Sequence, residues 1–369
     1  MKASEFYEAY RNRHQLAEGW KKGGRRIFGY ICNYTPEEII YAAGIIPVRL
    51  RGTTENIDLV DAHLPTFCCP FTRSYLDQAL KGRYSYLDGV IFAKTCDMPR
   101  VIPGIWKRNI KTPYQWYLPV PGKNNDEAIK LWVHELRLFK GSLEKYTGQN
   151  ISDESLKKAI KVYNENRSLV GKLYKLGLKD SPPLSGSQMF GILLSGLVMP
   201  KEEHNGMLQK LLDGLSDAGT TGEERVRLMI AGNTLEAVEL LQAVEENGGD
   251  IVIDDLDIGH RYYGSTVDEA VEPLKALAER YLRKVPCPCK HPAEPRIERM
   301  LELAEEYRVK GVILLSQKYC DTHLYESPYI EKRLKDKGIN VLHVEHSDIG
   351  WVGGKFKTMV RAFIEMLGQ

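Results

Sequence analysis

The sequence predicts an α/β fold made of two halves, each a parallel β-sheet covered by helices, with a helical insert between them. Three observations carry this. A stretch near residue 90, Leu87-Asp88-Gly89-Val90-Ile91-Phe92-Ala93-Lys94-Thr95-Cys96-Asp97, returns as Val309-Lys310-Gly311-Val312-Ile313-Leu314-Leu315-Ser316-Gln317-Lys318-Tyr319-Cys320-Asp321. Short Val- and Ile-rich runs bounded by turn residues alternate with helical patterns, the signature of strands buried on both faces of a parallel sheet. Between the two copies, residues from Asp126 to about Leu215 lose the strand runs and show only helical spacing. The expected divisions are 1–125 for the first α/β half, 126–222 for the helical insert and linker, and 223–369 for the second half with its terminal helix.

The first half opens with a helical pattern over residues 4–22, followed by the strand Arg26 to Cys32. Thr35-Pro36-Glu37-Glu38 carries helix-start signals, with Thr as N-cap and Pro at the first helical position. That helix stops at Gly44, and Ile45 to Leu50 forms a second strand, which closes a βαβ unit of right-handed crossover. Cys68-Cys69-Pro70 opens another helix, with apolar residues at Phe71, Tyr75, Leu76 and Ala79. The strand 89–95 then leads to Cys96, and Tyr117 to Val120 is a further strand. In the insert, Ile129, Trp132, Leu136 and Phe139 repeat at helical spacing, as do Leu156, Ala159, Tyr163, Val170, Leu173 and Leu176. This block is expected to join the halves and to pack on one of them. The second half is read as strand 225–232, helix 234–246, strand 250–253, helices around 267–283 and 294–307, strands 311–316 and 340–344, and a closing amphipathic helix 353–367.

With 369 residues the chain is long enough for two domains without disulfide staples. Basic and acidic residues nearly balance, 51 against 49, and no basic stripe suggests nucleic acid. The amino terminus is a polar helix rather than a signal segment. The longest apolar run, Phe190 to Met199, is broken by Gly and Ser and is too short to span a bilayer. A soluble, cytoplasmic protein is expected, with no membrane partner. Seven cysteines, an odd number, then argue for free thiols or metal ligation rather than disulfides.

Three thiols stand out by position. Cys96 and Cys320 lie just past strand carboxyl ends, the edge where open α/β sheets bind ligands. Cys69 lies at a helix amino terminus, where the dipole is expected to lower a thiol's pKa. A single free Cys is usually a small buried hydrophobe, but three at such edges, two in a repeated frame, favour a site. Their spacing is too wide for a zinc finger. Cysteines converging from separate loops suit an iron–sulfur cluster with one iron left open. Cys68 is the alternative to Cys69, which is preferred because it directly precedes Pro70. Cys32 either lines the pocket or is buried. Cys287-Pro288-Cys289-Lys290-His291 looks like half a metal site without its second pair and is read as a structural loop. In Asp254 to Tyr263, His260 and Arg261 are candidates for proton supply or substrate contact. The sequence has neither a Walker-type loop nor a strand-linked G-x-G-x-x-G, so any ATP chemistry must come from a partner.

At these residues the chain resembles the 2-hydroxyacyl-CoA dehydratase and benzoyl-CoA reductase family. The matching features are Tyr34-Thr35-Pro36-Glu37-Glu38-Ile39-Ile40-Tyr41-Ala42-Ala43-Gly44, the Cys-Cys and Thr-Cys-Asp motifs, Gln317-Lys318-Tyr319-Cys320-Asp321, and the terminal Arg361-Ala362-Phe363-Ile364-Glu365-Met366-Leu367. Ile31 to Glu38, Asp61-Ala62-His63-Leu64 and Cys68-Cys69 are most similar to the smaller cluster-binding subunits of ATP-dependent benzoyl-CoA reductases.

The resemblance implies two flavodoxin-like (Rossmann-like) halves holding a cluster through Cys69, Cys96 and Cys320. That cluster would be a 4Fe–4S cubane or half of a double cubane (8Fe–9S). It further implies a related or identical second cluster-binding subunit, an ATP-hydrolysing iron–sulfur activator, a ferredoxin-like donor and an acyl-CoA substrate. The implied reaction is low-potential, single-electron reduction of an aromatic acyl-CoA. Its rivals are dehydration of a 2-hydroxyacyl-CoA, a double-cubane reductase of small molecules, and a non-catalytic subunit with buried thiols. Gly353-Gly354-Lys355-Phe356-Lys357-Thr358 departs from a more Arg-rich run in the family.

Overall fold

The computed structural model describes residues 1–215, 225–346 and 353–368. Among the described residues the strands are β1 Arg26–Ile31, β2 Ile45–Arg49, β3 Gly89–Lys94, β4 Tyr114–Pro119, β5 Val226–Gly232, β6 Gly249–Asp255, β7 Gly311–Gln317 and β8 Asn340–His346. They build two four-stranded sheets of identical order, β2-β1-β3-β4 and β6-β5-β7-β8. All pairings are parallel. This is the flavodoxin-like order, and in each sheet the strand order reverses between the first and third strands, β1/β3 and β5/β7. Loops leaving those strands diverge and open a crevice at their carboxyl ends. No helix among the described residues is long and apolar enough to cross a membrane. The expected boundary between residues 222 and 223 lies outside the described residues.

The repeated stretch forms the third strand of each sheet, and the packing explains its opening glycine. Gly89 pairs with Phe28 and Tyr114, and a Cβ there would meet the Phe28 ring at 2.6 Å. Gly311 pairs with Leu228 and Asn340, and a Cβ there would meet Phe363 and Leu367 of the terminal helix at 2.7 Å. In both halves a large side chain lies across the start of the central strand, and only a bare backbone fits beneath it.

Two local expectations are corrected, and two further helices appear. Thr35 is not the N-cap of the helix Glu37–Ala42; Pro36 occupies that place, and the Thr35 hydroxyl instead donates to the carbonyl of Ile31 at 2.9 Å. Residues 4–22 form two helices, Ser4–Arg11 and Arg13–Lys22, broken at Asn12. The helices Met98–Asn109 and Asp321–Lys335, each with an interior proline, Pro103 and Pro328, begin at the two Cys-Asp pairs.

The insert packs against both halves, not one. The helix Asp126–Thr147 buries Ile129, Trp132, Leu136, Phe139 and Leu143, one residue per turn, between β4 and the second-half helix Pro273–Arg283. The helix Asp153–Leu176 lies on Glu37–Ala42 and on Lys201–Leu215, and Gly186–Ser195 lies between Ser4–Arg11 and Val238–Glu246. One core cluster therefore joins Phe28, Tyr30 and Ile91 of the first sheet to Leu274, Leu277 and Tyr281 of the second half. A helix from one half completes the core of the other.

Gly232, the last residue of β5, has φ +132, and a Cβ there would stand 1.9 Å from the Leu315 carbonyl oxygen of β7. This is a backbone-to-backbone approach that no rotamer can relieve. Gly232→Ala is expected to cost roughly 2–4 kcal/mol, from strained φ plus the displaced ladder, read as a fall in Tm. An unchanged Tm would show that β5 and β7 can part without loss.

Candidate metal centre

Cys96 sits at the β3 exit and Cys320 at the β7 exit, equivalent places in the two sheets. Cys69 caps the helix Pro70–Leu80, whose proline stands in the first turn. Its thiol donates to Oε1 of Gln317, the last residue of β7, at 3.8 Å, so a first-half loop touches the second sheet. Cys320 caps its helix likewise, and its sulfur lies 3.7 Å from the Thr322 hydroxyl. Cys68 turns instead into the apolar core. The two candidates thus separate, with Cys69 at the cleft and Cys68 in the interior.

The charges of these sulfurs act on one another. Burial raises the Cys96 thiol pKa well above its ordinary value, and the charges of Cys69, Cys32, Cys287 and Cys320 raise it further. Yet Cys96 as a residue is exposed. A group open to solvent but walled by protein on most sides lies in a cleft. Burial and the neighbouring Cys69 likewise push Cys320 up to about 11. Burial also raises Cys69, outweighing the backbone N–H groups of Thr72 and Phe71. The expectation of a lowered Cys69 pKa is therefore overturned, because desolvation exceeds the helix-terminus effect.

Among the described residues no three Cys, His, Asp or Glu side chains stand close enough to hold a single metal ion. A multi-iron cluster is gripped differently, since each thiolate takes its own iron and the sulfurs stay apart. Cys69, Cys96 and Cys320, soft donors whose negative charges oppose one another, fit that requirement. Metal cations would relieve the repulsion that keeps these thiols protonated.

A second group of residues, read from the sequence as a structural loop, also reaches the cleft. Cys289 and the His323 ring lie beside Cys287 and lower its pKa. Cys32 ends β1 with φ +75 and feels the charge of Cys287. The overlooked signal is positional. Cys287-Pro288-Cys289 falls between the second strand of its sheet and the helix leading to the third, the slot that Cys68-Cys69-Pro70 fills in the first half. Nearby cations are engaged: Lys284 donates to the Asn33 carbonyl at 2.7 Å and stands 4.3 Å over the Tyr34 ring, and Lys290 donates to the Pro121 carbonyl at 2.8 Å.

His260 and Arg261 lie in the short helix His260–Tyr263 after β6. Burial lowers the His260 pKa to about 4, so the ring is neutral near pH 7. Arg261 donates to the Gly232 carbonyl at 2.5 Å and pairs with Asp255 at 3.5 Å. Burial works against its charge, and Asp255 and Cys287 outweigh it. Next to it the halves are tied by Asp257, which bonds Arg49 of β2 through a carboxylate oxygen and accepts from Asn33 through its carbonyl at 3.0 Å.

A model of the family described as 2-hydroxyglutaryl-CoA dehydratase, D-component, matches residues 32–367. One of the benzoyl-CoA reductase subunits of Thauera aromatica is 29% identical over 342 residues, covering 90% of this chain and 89% of that protein. The (R)-phenyllactyl-CoA dehydratase beta subunit of Clostridium sporogenes is 28% identical, covering 93% and 92%. The beta subunit of (R)-2-hydroxyglutaryl-CoA dehydratase from Acidaminococcus fermentans is 25% identical, covering 98% of each.

The Asp257 pair gives a pH test. Burial alone would raise its pKa, but Arg49, then Arg51 and Arg261, outweigh burial and hold it at about 2 against an ordinary 3.8. The depressed folded value means that the pair's contribution, roughly 2–3 kcal/mol, is fully present above pH about 4. It is lost as pH falls through about 2. Asp257→Asn, which leaves the buried Arg49 charge uncompensated, should lower Tm at pH 7, with the gap to wild type shrinking below pH 4. A gap constant with pH would refute the pairing.

Proposed function

Because the chain belongs to the 2-hydroxyglutaryl-CoA dehydratase D-component family, we propose that it is the iron–sulfur cluster-binding subunit of an acyl-CoA-converting complex, with Cys69, Cys96 and Cys320 as the metal ligands. The reaction proposed is reduction of an aromatic acyl-CoA by single electrons of low potential, driven by ATP hydrolysis in a partner. The observation that carries this is the convergence of three thiols, from three loops and both halves, on one cleft. When bound, a thiolate-held cluster, 4Fe–4S or half of an 8Fe–9S double cubane, would supply electrons at a potential tuned by its surroundings.

The chain's own part is to shape those surroundings. The protein around Cys69, Cys96 and Cys320 desolvates their sulfurs, which favours a low potential. Arg261 sets a fixed positive charge that acts on Cys287; it and His260 are the proposed substrate or proton contacts. Phe67, 67% exposed, precedes the Cys68-Cys69 pair, Val101 follows Cys96, and Tyr319 and the 86% exposed Tyr325 flank Cys320. Exposed apolar side chains beside each ligand loop support a related or identical second subunit docking over the cleft. An ATP-hydrolysing iron–sulfur activator, fed by a ferredoxin-like donor, would supply the electrons, since the sequence has no Walker-type motif.

A second reading is favoured by relatives that are dehydratase subunits: radical dehydration of a 2-hydroxyacyl-CoA to an enoyl-CoA. Reductant consumption separates the two. Assayed with activator, ATP and a limiting reductant, a reductase stops when the electrons run out, whereas a dehydratase recycles its electron and continues.

The ligand assignment is tested first. Protein purified without oxygen should carry about four irons per chain, and Cys96→Ala should lose most of that iron while keeping its circular dichroism. Unchanged iron in the variant would remove Cys96 from the ligand set.

A further inference from the structure

Cys287 and Cys289 have no part in the proposed metal centre. Cys287-Pro288-Cys289-Lys290 is a tight turn, closed by the Lys290 N–H donating to the Cys287 carbonyl at 2.8 Å, with Pro288 pre-setting its second position. The Cys287 N–H donates to the Tyr34 hydroxyl at 3.1 Å, which pins the turn to the first half. Both residues are half-buried, and their side chains lie close enough to act on each other. Two residues apart in such a turn, their Cα atoms lie within the reach of a disulfide.

We propose that Cys287 and Cys289 are a redox-active dithiol in the wall of the cleft, which a peroxide oxidises to an intraloop disulfide and a thiol reductant restores. The surroundings divide the roles. The neighbouring Cys289 thiol, the His323 ring and the Arg261 charge lower the Cys287 pKa, whereas Cys287 and burial raise that of Cys289. Cys287 is thus the nucleophile and Cys289 the resolving thiol.

In the first step the Cys287 sulfur attacks the peroxide, an S–O bond forms, the O–O bond breaks, and hydroxide departs to be protonated by solvent. In the second the Cys289 sulfur attacks the resulting sulfenic acid, the S–S bond forms, the S–O bond breaks, and water leaves with the Cys289 proton. Two electrons pass from the sulfurs to the peroxide oxygens. Oxidation removes the thiolate that faces Arg261, His323 and Cys96, and so resets the charge balance of the cleft.

Cleavage after Lys284 and Lys290 releases Val285–Lys290, which carries both thiols and no other cysteine. Whole protein, with any co-purifying subunit retained, is treated with graded hydrogen peroxide, alkylated, digested and weighed. The expected result is that this peptide loses both alkyl labels together, at doses that leave the core thiol Cys68 labelled, and regains them after dithiothreitol. In Cys289→Ser the sulfenic acid on Cys287 should persist and be captured by dimedone. Two labels retained at every dose, or Cys287 passing to sulfinic acid in the wild type without a disulfide, would overturn the proposal. If the variant does not fold, the wild-type digest decides alone. The readout does not depend on iron, so it stands or falls separately from the metal-ligand assignment.

Discussion

The structure depends on a seam of buried charge between its two halves. Arg51 of the first half pairs with Glu236 of the second at 2.6 Å, and Glu236 also accepts from the Tyr10 hydroxyl at 2.5 Å. Glu38 accepts from Arg167 of the insert at 2.5 Å and from Tyr281 of the second half at 2.8 Å. Glu37 does the same for Tyr262, with Lys201 3.7 Å away. Burying such groups is costly unless each finds its partner, and removing one partner leaves an uncompensated charge in the interior. These pairs therefore work less as glue than as a key. They admit one relative placement of the two sheets, and that placement is what brings Cys69 against Gln317 and opposes Cys96 to Cys320.

How much of this the sequence reveals follows from the range of each interaction. The sheets are legible because parallel strands buried on both faces need continuous apolar runs, and the repeated Gly-Val-Ile frame marks the central strand twice. The cleft thiols are legible because Cys96 and Cys320 follow those strands directly. Cys287 and Cys289 are not, since their nearest sheet neighbours are far along the chain and only a matching topological slot marks them. Likewise Glu37 and Glu38 read as first-turn acids of an ordinary helix, although both are fully buried. Their partners Tyr262, Tyr281 and Arg167 lie more than a hundred residues away, beyond any local pattern. The insert's attachment to both halves is hidden for the same reason: an amphipathic helix announces that it has an apolar face, not whose core that face completes.

Backbone strain gathers at the same place. Among the described residues the non-glycine positions with positive φ are Cys32, Arg308 and Tyr319. Two of these stand at the exits of β1 and β7, on either side of the cleft. A side chain held in the left-handed region costs about 1–3 kcal/mol and persists only where its surroundings over-determine it. At Cys32 the constraint is the neighbouring Asn33, held to the Asp257 carbonyl; at Tyr319 it is the turn that delivers Cys320 to its helix. Strain here accompanies turning each chain sharply enough that the sulfur meets the opposite half.

The helix Pro273–Arg283, which fills the core of the first sheet, bears on how the chain comes off the ribosome. The first sheet, its thiol-bearing loops and the helix Asp126–Thr147 are all synthesised long before residues 273–283, so that core stays open on one side until most of the polypeptide has emerged. Cys69 and Cys96 then wait, unconfined, for a wall that arrives late. It follows that anything built between the two halves is assembled after translation is nearly complete rather than during it.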